Sequence, residues 1–313
     1  MKKIAFHSNQ LGLRGTEVAL FQYAKYNEEI LGNKSVIFSS PNGDLSALKK
    51  FQDRFEVVLL NWWEYENYLT TNNFDFLYVI KMGVNDGYSL NTTPTIVHSV
   101  FRFNDPHGYK YVYVSDWLAK DQGYDPEIYS LPHICEKLPD PLYDFREKKN
   151  IPNDALVFGC YGGPTEFNIE TTKEVIKQVV NERSDIYFIF MNINEFSNHP
   201  QIKFFPGSHD LYEKSSFVNS CDAMIHARSG GETFGLAVSE FALSNKPIIT
   251  YELSGERNHL DILGDRAITY KGYEDLYDIF LNFISYKKFD DYDTPYKKFS
   301  PEIIMNKFEK LIS

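Results

Sequence analysis

Ala223-Met224-Ile225-His226-Ala227 is an unbroken run of mostly small and apolar residues. Arg228-Ser229-Gly230-Gly231-Glu232-Thr233-Phe234 follows as a polar glycine loop, and Gly235-Leu236-Ala237-Val238-Ser239-Glu240-Phe241-Ala242-Leu243-Ser244 as a helical stretch. Asn245-Lys246-Pro247 then leads into Ile248-Ile249-Thr250-Tyr251. The order reads strand, loop, helix, strand. Apolar residues in succession mark strands buried on both faces, as in a parallel sheet covered by helices.

The same alternation extends outward in both directions. Leu156–Tyr161, Ile186–Met191 and Ile202–Phe205 read as strands, with a helix from an Asn168 cap to Arg183 and another from Asp210 to Ser220. Towards the N-terminus, Lys3–His7 reads as a strand, Gln10-Leu11-Gly12-Leu13-Arg14-Gly15 as a loop, and Thr16 as the cap of a helix to Leu31. Further strands are expected at Ser35–Ser39, Val57–Asn61, Phe76–Ile80, Thr95–His98 and Tyr111–Ser115. Pro132, Pro139, Pro141 and Pro152 break the rhythm across 131–153, which reads as the interdomain segment. The expected fold class is α/β, with two doubly wound domains facing a cleft. Their expected ranges are 1–150 and 151–300, followed by a helix over 301–313. Ligands of such domains bind at the carboxyl ends of the strands.

Composition narrows the function. The 313 residues carry a net charge of −11 and a pI near 5.3, and neither half is basic, so a nucleic-acid partner is not expected. Cys135, Cys160 and Cys221 form no C-x-x-C, which fits a reducing compartment and offers no zinc site. The N-terminus turns polar at His7, and no apolar run reaches the ~18 residues of a membrane span. A cytoplasmic protein without a transmembrane segment is expected.

Within the opening stretch, free amides at a helix start favour a phosphate, and Gly235 lets backbone approach closely. Glu240 sits among Leu236, Val238, Phe241 and Ala242. Its two oxygens would be satisfied by the vicinal hydroxyls of a ribose. At 3.6 residues per turn it also falls near Ser239 and Ser244, so an ordinary solvated helix face remains open. Glu232 could equally be a charged first-turn residue.

Glu232-x7-Glu240 with the intervening Thr-Phe-Gly-Leu, followed by Asn245-Lys246-Pro247-Ile248-Ile249, resembles the nucleotide-sugar signature of retaining glycosyltransferases of family 4. Gly15-Thr16-Glu17, Val114-Ser115-Asp116-Trp117-Leu118 and the Gly159–Gly163 turn resemble further segments of that family, in matching order. The resemblance implies the GT-B fold, with Rossmann-like acceptor and donor domains and a last helix that crosses back to the first. It implies transfer of a hexose, with retention, from a nucleoside diphosphate sugar to a glycan, lipid or other hydroxyl acceptor. The nucleotide sugar is a co-substrate, and no cofactor is implied. Glu240 would bind the donor ribose and Glu232 the donor sugar. Phe234, Gly235 and Leu236 would place amides near the diphosphate or the sugar, and Gly162 and Gly163 would also be donor-binding. Gly15 and Thr16 would meet the diphosphate from the first domain. His98, ending a strand, would be the active-site histidine of this fold, or simply a histidine bonded at a strand end.

One departure stands out. The family usually carries Arg and Lys after the first strand of its second domain, whereas here Cys160 follows Gly159 and no basic residue precedes Lys173. A leaving diphosphate needs compensating charge. Arg228 is the substitute expected to supply it, ahead of Arg14 and Arg257. Failing that, the chain would be a non-catalytic nucleotide-sugar binder. A GT-B epimerase is the other alternative, since its donor site would look alike.

Other chemistries fit less well. Asp291-Tyr292-Asp293, the only Asp-x-Asp, lies in a polar stretch, and the eight histidines show no ligand spacing, so no metal site is expected. As a glycosidase pair, Glu232 and Glu240 would stand about 12 Å apart along a helix, too far for the usual carboxylate separation. Gly12-x-x-Gly15 is not a dinucleotide fingerprint.

Overall fold

In a computed structural model, residues 1–12 and 14–313 are described; Leu13 of the first glycine loop lies outside the described residues. The chain divides into two compact units, residues 1–134 with 299–313, and residues 135–298.

The first unit runs β1 (Lys3–His7), α1 (Gly15–Glu29), β2 (Lys34–Ser39), α2 (Leu48–Gln52), β3 (Glu56–Leu59), α3 (Trp62–Thr71) and β4 (Phe76–Lys81). It continues through β5 (Thr95–Ser99), β6 (Lys110–Tyr113), α4 (Asp116–Asp121) and α5 (Pro126–Tyr129). Its six strands are parallel in the order β3-β2-β1-β4-β5-β6. Alternate residues of these buried strands supply two cores. Ala5, Leu77 and Val79 pack with Tyr65, Leu69 and Phe74 on one face, while Phe6 and Tyr78 point to the other.

The second unit begins with α6 (Phe145–Lys148) and proceeds through β7 (Leu156–Tyr161), α7 (Glu170–Glu182), β8 (Ile186–Met191), β9 (Ile202–Phe205), α8 (Leu211–Ser220) and β10 (Ala223–His226). There follow β11 (Gly231–Glu232), α9 (Leu236–Leu243), β12 (Ile248–Tyr251), β13 (Glu256–Arg257), α10 (Asn258–Leu263), β14 (Ala267–Tyr270), α11 (Tyr273–Leu281) and α12 (Phe283–Tyr286). The main sheet is again six parallel strands, β14-β12-β10-β7-β8-β9, and β11 pairs separately with β13. Phe158 of β7 centres one core, 4.8 Å from the Phe280 ring and 5.2 Å from Phe283.

A last helix, α13 (Pro301–Leu311), belongs to the first unit. Phe308, at zero exposure, meets Phe6, Tyr23 and Tyr78 at centroid distances of 6.1, 5.6 and 5.7 Å. It closes the sheet face that α1 alone leaves partly open.

Three local expectations are corrected. Thr16 does not cap α1: the helix starts at Gly15 after Arg14, and the Thr16 hydroxyl donates instead to Glu17 at 2.7 Å. Asn168 does not cap α7, whose N-cap is Ile169; its side-chain oxygen accepts from the Ser229 amide at 2.8 Å. The division of the chain falls at 134/135, ahead of the expected 150. Residues of that stretch are held by the second unit. Phe145 packs edge-on to Phe205 and Phe217, and the Arg146 guanidinium donates to the Ser220 and Ala155 carbonyls and to Asp222.

Candidate functional site

In a doubly wound sheet the ligand crevice opens where the strand order reverses. In the second unit that point lies between β7 and β10, because β8 and β9 extend to one side and β12 and β14 to the other. The two chain segments leaving these strands are Gly162-Gly163 and the Arg228–Phe234 loop.

Each loop is fixed by side chains. The Gly162 carbonyl accepts from Asn192 at 2.6 Å, and the Gly163 carbonyl from the Glu166 amide at 3.0 Å. Asn168 accepts from Ser229 through its side chain and donates its amide to the Ala227 carbonyl at 3.0 Å. Gly231 has φ +76°, and an added Cβ would lie 2.0 Å from the Glu256 carbonyl oxygen. Only glycine permits the β11–β13 pairing that places Glu232 opposite Arg257.

Glu232 is the electrostatic centre. One carboxylate oxygen lies 3.2 Å from His226 Nε2 and the other 3.1 Å from an Arg228 guanidinium nitrogen. Burial pushes the carboxyl up, but the His226 hydrogen bond and the Arg228 charge outweigh it and hold Glu232 down to about 2. His226 Nδ1 meets the Thr250 hydroxyl at 2.9 Å, and that oxygen meets His259 Nε2 at 3.0 Å. Burial drives His259 down to about 3, so it is neutral. His226, Thr250 and His259 thus form one buried hydrogen-bonded chain that ends on Glu232.

Arg228 is engaged twice, with Glu232 and with Glu166. The expected phosphate-compensating cation is therefore held between two carboxylates. Beyond the loop, Gly235 takes the left-handed conformation, φ +94°, as N-cap of α9, and Leu236 opens the helix. Phe234 is buried, and its carbonyl accepts from Asn258 at 3.1 Å. Glu240, on the second turn of α9, is not on a solvated face. Its side chain is 11% exposed, and both oxygens accept from Lys214 of α8, at 2.9 and 2.8 Å. The structure thus brings Gly162, Gly163, Arg228, Glu232, Phe234, Gly235, Leu236 and Glu240 to one end of one sheet.

In the first unit, Gly15 and Thr16 begin α1 beyond the carboxyl end of β1, and that strand also adjoins the reversal point, between β1 and β4. Beside them Glu17 is buried and accepts from Thr16, Ser8 and Gln10. Burial raises its carboxyl, against those hydrogen bonds. His98 has zero exposure. Its Nδ1 lies 2.6 Å from the Tyr78 hydroxyl, and its ring is 5.6 Å from that of His133. Burial and His133 lower it well below the usual histidine range. In this structure it is a core histidine and presents no face to a substrate.

Sequence reading missed Lys214, Glu166, Thr250 and His259. Their pairings join different segments of the chain, so no spacing within one element announces them. Among the described residues no cluster of three or more His, Cys, Asp or Glu could hold a metal ion.

No known family model matches the chain, and no curated protein matches it in sequence. Solved structures do match in fold. The UDP-glucose complex of HepE from Anabaena is 12% identical over 100% of this chain and 99% of that one, with a TM-score of 0.74. A glycosyltransferase from Rickettsia africae is 14% identical over 99% and 97%, TM-score 0.72. A protein described as a UDP-N-acetylglucosamine 2-epimerase, from Listeria monocytogenes, is 12% identical over 100% and 96%, TM-score 0.63. The chain has the GT-B fold: two α/β domains, each built on a six-stranded parallel sheet. No helix is long and apolar enough to cross a membrane among the described residues.

Proposed function

We propose that the chain is a glycosyltransferase that moves a hexose from a nucleoside diphosphate sugar to a hydroxyl acceptor, with retention and without a metal ion. The observation that carries this reading is the grouping of Glu232, Gly235 and Glu240 at the β7/β10 reversal point. Left-handed Gly235 turns the chain into α9, whose first amides have no helical acceptor and favour a diphosphate. Glu240, one turn along, faces the ribose, and Glu232 the transferred sugar. Gly162 and Gly163 line the crevice, and the resemblance to family 4 implies a donor-binding role for Gly15 and Thr16 at the start of α1. The HepE structure holds UDP-glucose in the same fold, and the E-x7-E spacing supports the family 4 reading.

In the mechanism, the leaving phosphate oxygen takes the acceptor proton on the same face of the sugar, so no side-chain base is needed. Glu232 stays ionised and orients the sugar hydroxyls. Arg228, anchored by Glu232 and Glu166, supplies positive charge near the departing phosphate. The acceptor is a glycan, lipid or other hydroxyl compound, and the setting is cytoplasmic.

The pairing of Arg228 with two carboxylates favours a second reading, a nucleotide-sugar binder without turnover. The Listeria neighbour favours a third, an epimerase. Calorimetry with UDP, GDP and ADP and their sugars, followed by chelator-treated turnover assays with product NMR, separates the three. Nucleotide release with a retained anomeric centre is the expected result. Binding without release indicates the binder, an inverted ring carbon the epimerase. Absence of binding by any nucleotide overturns all three.

A further inference from the structure

We propose that Thr250 is a positioning residue for Glu232, and that the brace it completes with His226 and His259 gives the site its hold on the sugar part of the donor. This inference rests on the nucleotide-sugar reading above. It adds two residues, Thr250 and His259, that are fully buried and closed to any ligand. β10 and β12 run side by side with His226 opposite Thr250, at the carboxyl ends of both strands. The Thr250 hydroxyl lies 2.9 Å from His226 Nδ1, and the same oxygen 3.0 Å from Nε2 of His259 on α10. The two rings also pack against each other, with centroids 4.7 Å apart. The chain ends on Glu232, whose side chain is 20% exposed.

Glu232 is gripped on both oxygens, with unequal stiffness. Arg228 belongs to the same loop and divides its guanidinium between Glu232 and Glu166. His226 stands on β10, inside the sheet, and meets the other oxygen. An imidazole turns easily about its bond to Cβ, so Nε2 keeps one direction only if Nδ1 is held. Thr250 holds it. As a branched residue in a strand Thr250 is itself stiff, and His259 ties its hydroxyl from behind. His259 Nδ1 is buried without a partner among the described residues, a cost that a phenyl ring of similar size would not carry. What the imidazole adds over a phenyl ring is the bond to Thr250. Gly235 closes the corner: a Cβ there would lie 3.3 Å from Glu232 Cβ and 3.4 Å from His259 Cβ. A buried shell of this kind fixes the group in front of it. The nucleotide meets Glu240 and the start of α9 in the reading above, and only the sugar meets Glu232. Loosening the brace therefore weakens the hold on the sugar and spares the hold on the nucleotide.

The test measures affinities for UDP, GDP and ADP and for UDP-glucose, GDP-glucose and ADP-glucose by calorimetry, on wild type, Thr250→Val, Thr250→Ser and His259→Phe. Thr250→Val keeps the branched shape and removes the hydroxyl. It should bind the free nucleotide within about 2-fold of wild type and the nucleotide sugar about 10-fold more weakly, the worth of one hydrogen bond to a charged group. Thr250→Ser, which keeps the hydroxyl, should stay within about 3-fold of wild type for both. His259→Phe cuts the brace one bond further back. It should follow Thr250→Val in direction, and it takes that variant's place if Thr250→Val fails to fold. An equal loss for nucleotide and nucleotide sugar marks Thr250 as a structural prop and overturns the inference. So does a nucleotide-sugar affinity that Thr250→Val leaves unchanged, a Thr250→Ser as weak as Thr250→Val, or a wild type that binds free nucleotide and none of the three glucose conjugates. A wild type that binds no nucleotide fails earlier and overturns the nucleotide reading together with this one.

Discussion

Gly230 and Gly231 are adjacent residues with opposite tolerance for a side chain. A methyl group on Gly230 meets nothing within 4 Å, whereas on Gly231 it lies 2.0 Å from a carbonyl oxygen, at φ +76°. Gly230→Ala is expected to change stability by less than about 0.5 kcal/mol, and Gly231→Ala to cost at least about 2 kcal/mol. Urea unfolding of the two variants checks this; equal midpoints would mean that the β11–β13 bridge is not formed in solution. Arg228→Ala belongs to the same scale. Removing the charge between Glu166 and Glu232 is expected to lower kcat about 100-fold and leave nucleotide affinity within about 3-fold. Unchanged kcat would take Arg228 out of the mechanism. These residues were partly visible in the sequence. Glu232, Arg228 and Gly235 stand together in one loop-helix motif. Lys214 and Glu166 do not, because an ion pair between distant helices or loops leaves no mark on the spacing within either one.

At the scale of elements, legibility tracks burial. β7 and β8 coincide with the apolar runs that announce them, since strands covered on both faces have little freedom in where apolar residues stop. Caps were less legible. Asp210 caps α8 as its residue type predicts, by accepting from the Tyr212 amide at 2.8 Å. Asn168 and Thr16, of equally suitable types, found other partners nearby. The two-residue strands β11 and β13 carry no periodicity at all, so nothing short of the folded loop reveals them. The most exacting element is α13. Phe308→Ala is expected to destabilise the first unit by about 3–5 kcal/mol, since the ring is fully buried between Phe6, Tyr23 and Tyr78. Near-UV circular dichroism and calorimetric unfolding would show the loss; an unshifted transition would mean that the helix is not docked.

At the scale of the whole molecule, both units store neutral histidines. Burial lowers His7 to about 4 and His133 to about 3 in the first unit, and His259 to about 3 in the second. An unfolded histidine takes up a proton near pH 6.5, whereas these folded ones do not. Below pH 6.5 the unfolded chain binds more protons, so stability falls as pH falls, until the folded pKa values are reached. Glu232 acts in a lower window. Its carboxyl is held at about 2, so its contribution is present above the ordinary value of 4.5 and fades between there and 2. The melting temperature is expected to decline from pH 7 to pH 5, before the Glu232 carboxylate matters and against the opposite pull of the single raised Glu17 carboxyl. A flat profile over that range would mean that these rings are hydrated and titrate normally.

The return of α13 to the first unit also orders events during synthesis. A ribosome adds this helix after every residue of the second unit, and chains fold largely from the N-terminus as they emerge. The aromatic face formed by Phe6, Tyr23 and Tyr78 therefore waits, uncovered, while some 160 further residues are made, at roughly 5–20 residues per second about 8 to 32 seconds. The unit translated first is the one completed last, and during that interval its open face is the surface a chaperone would have to guard.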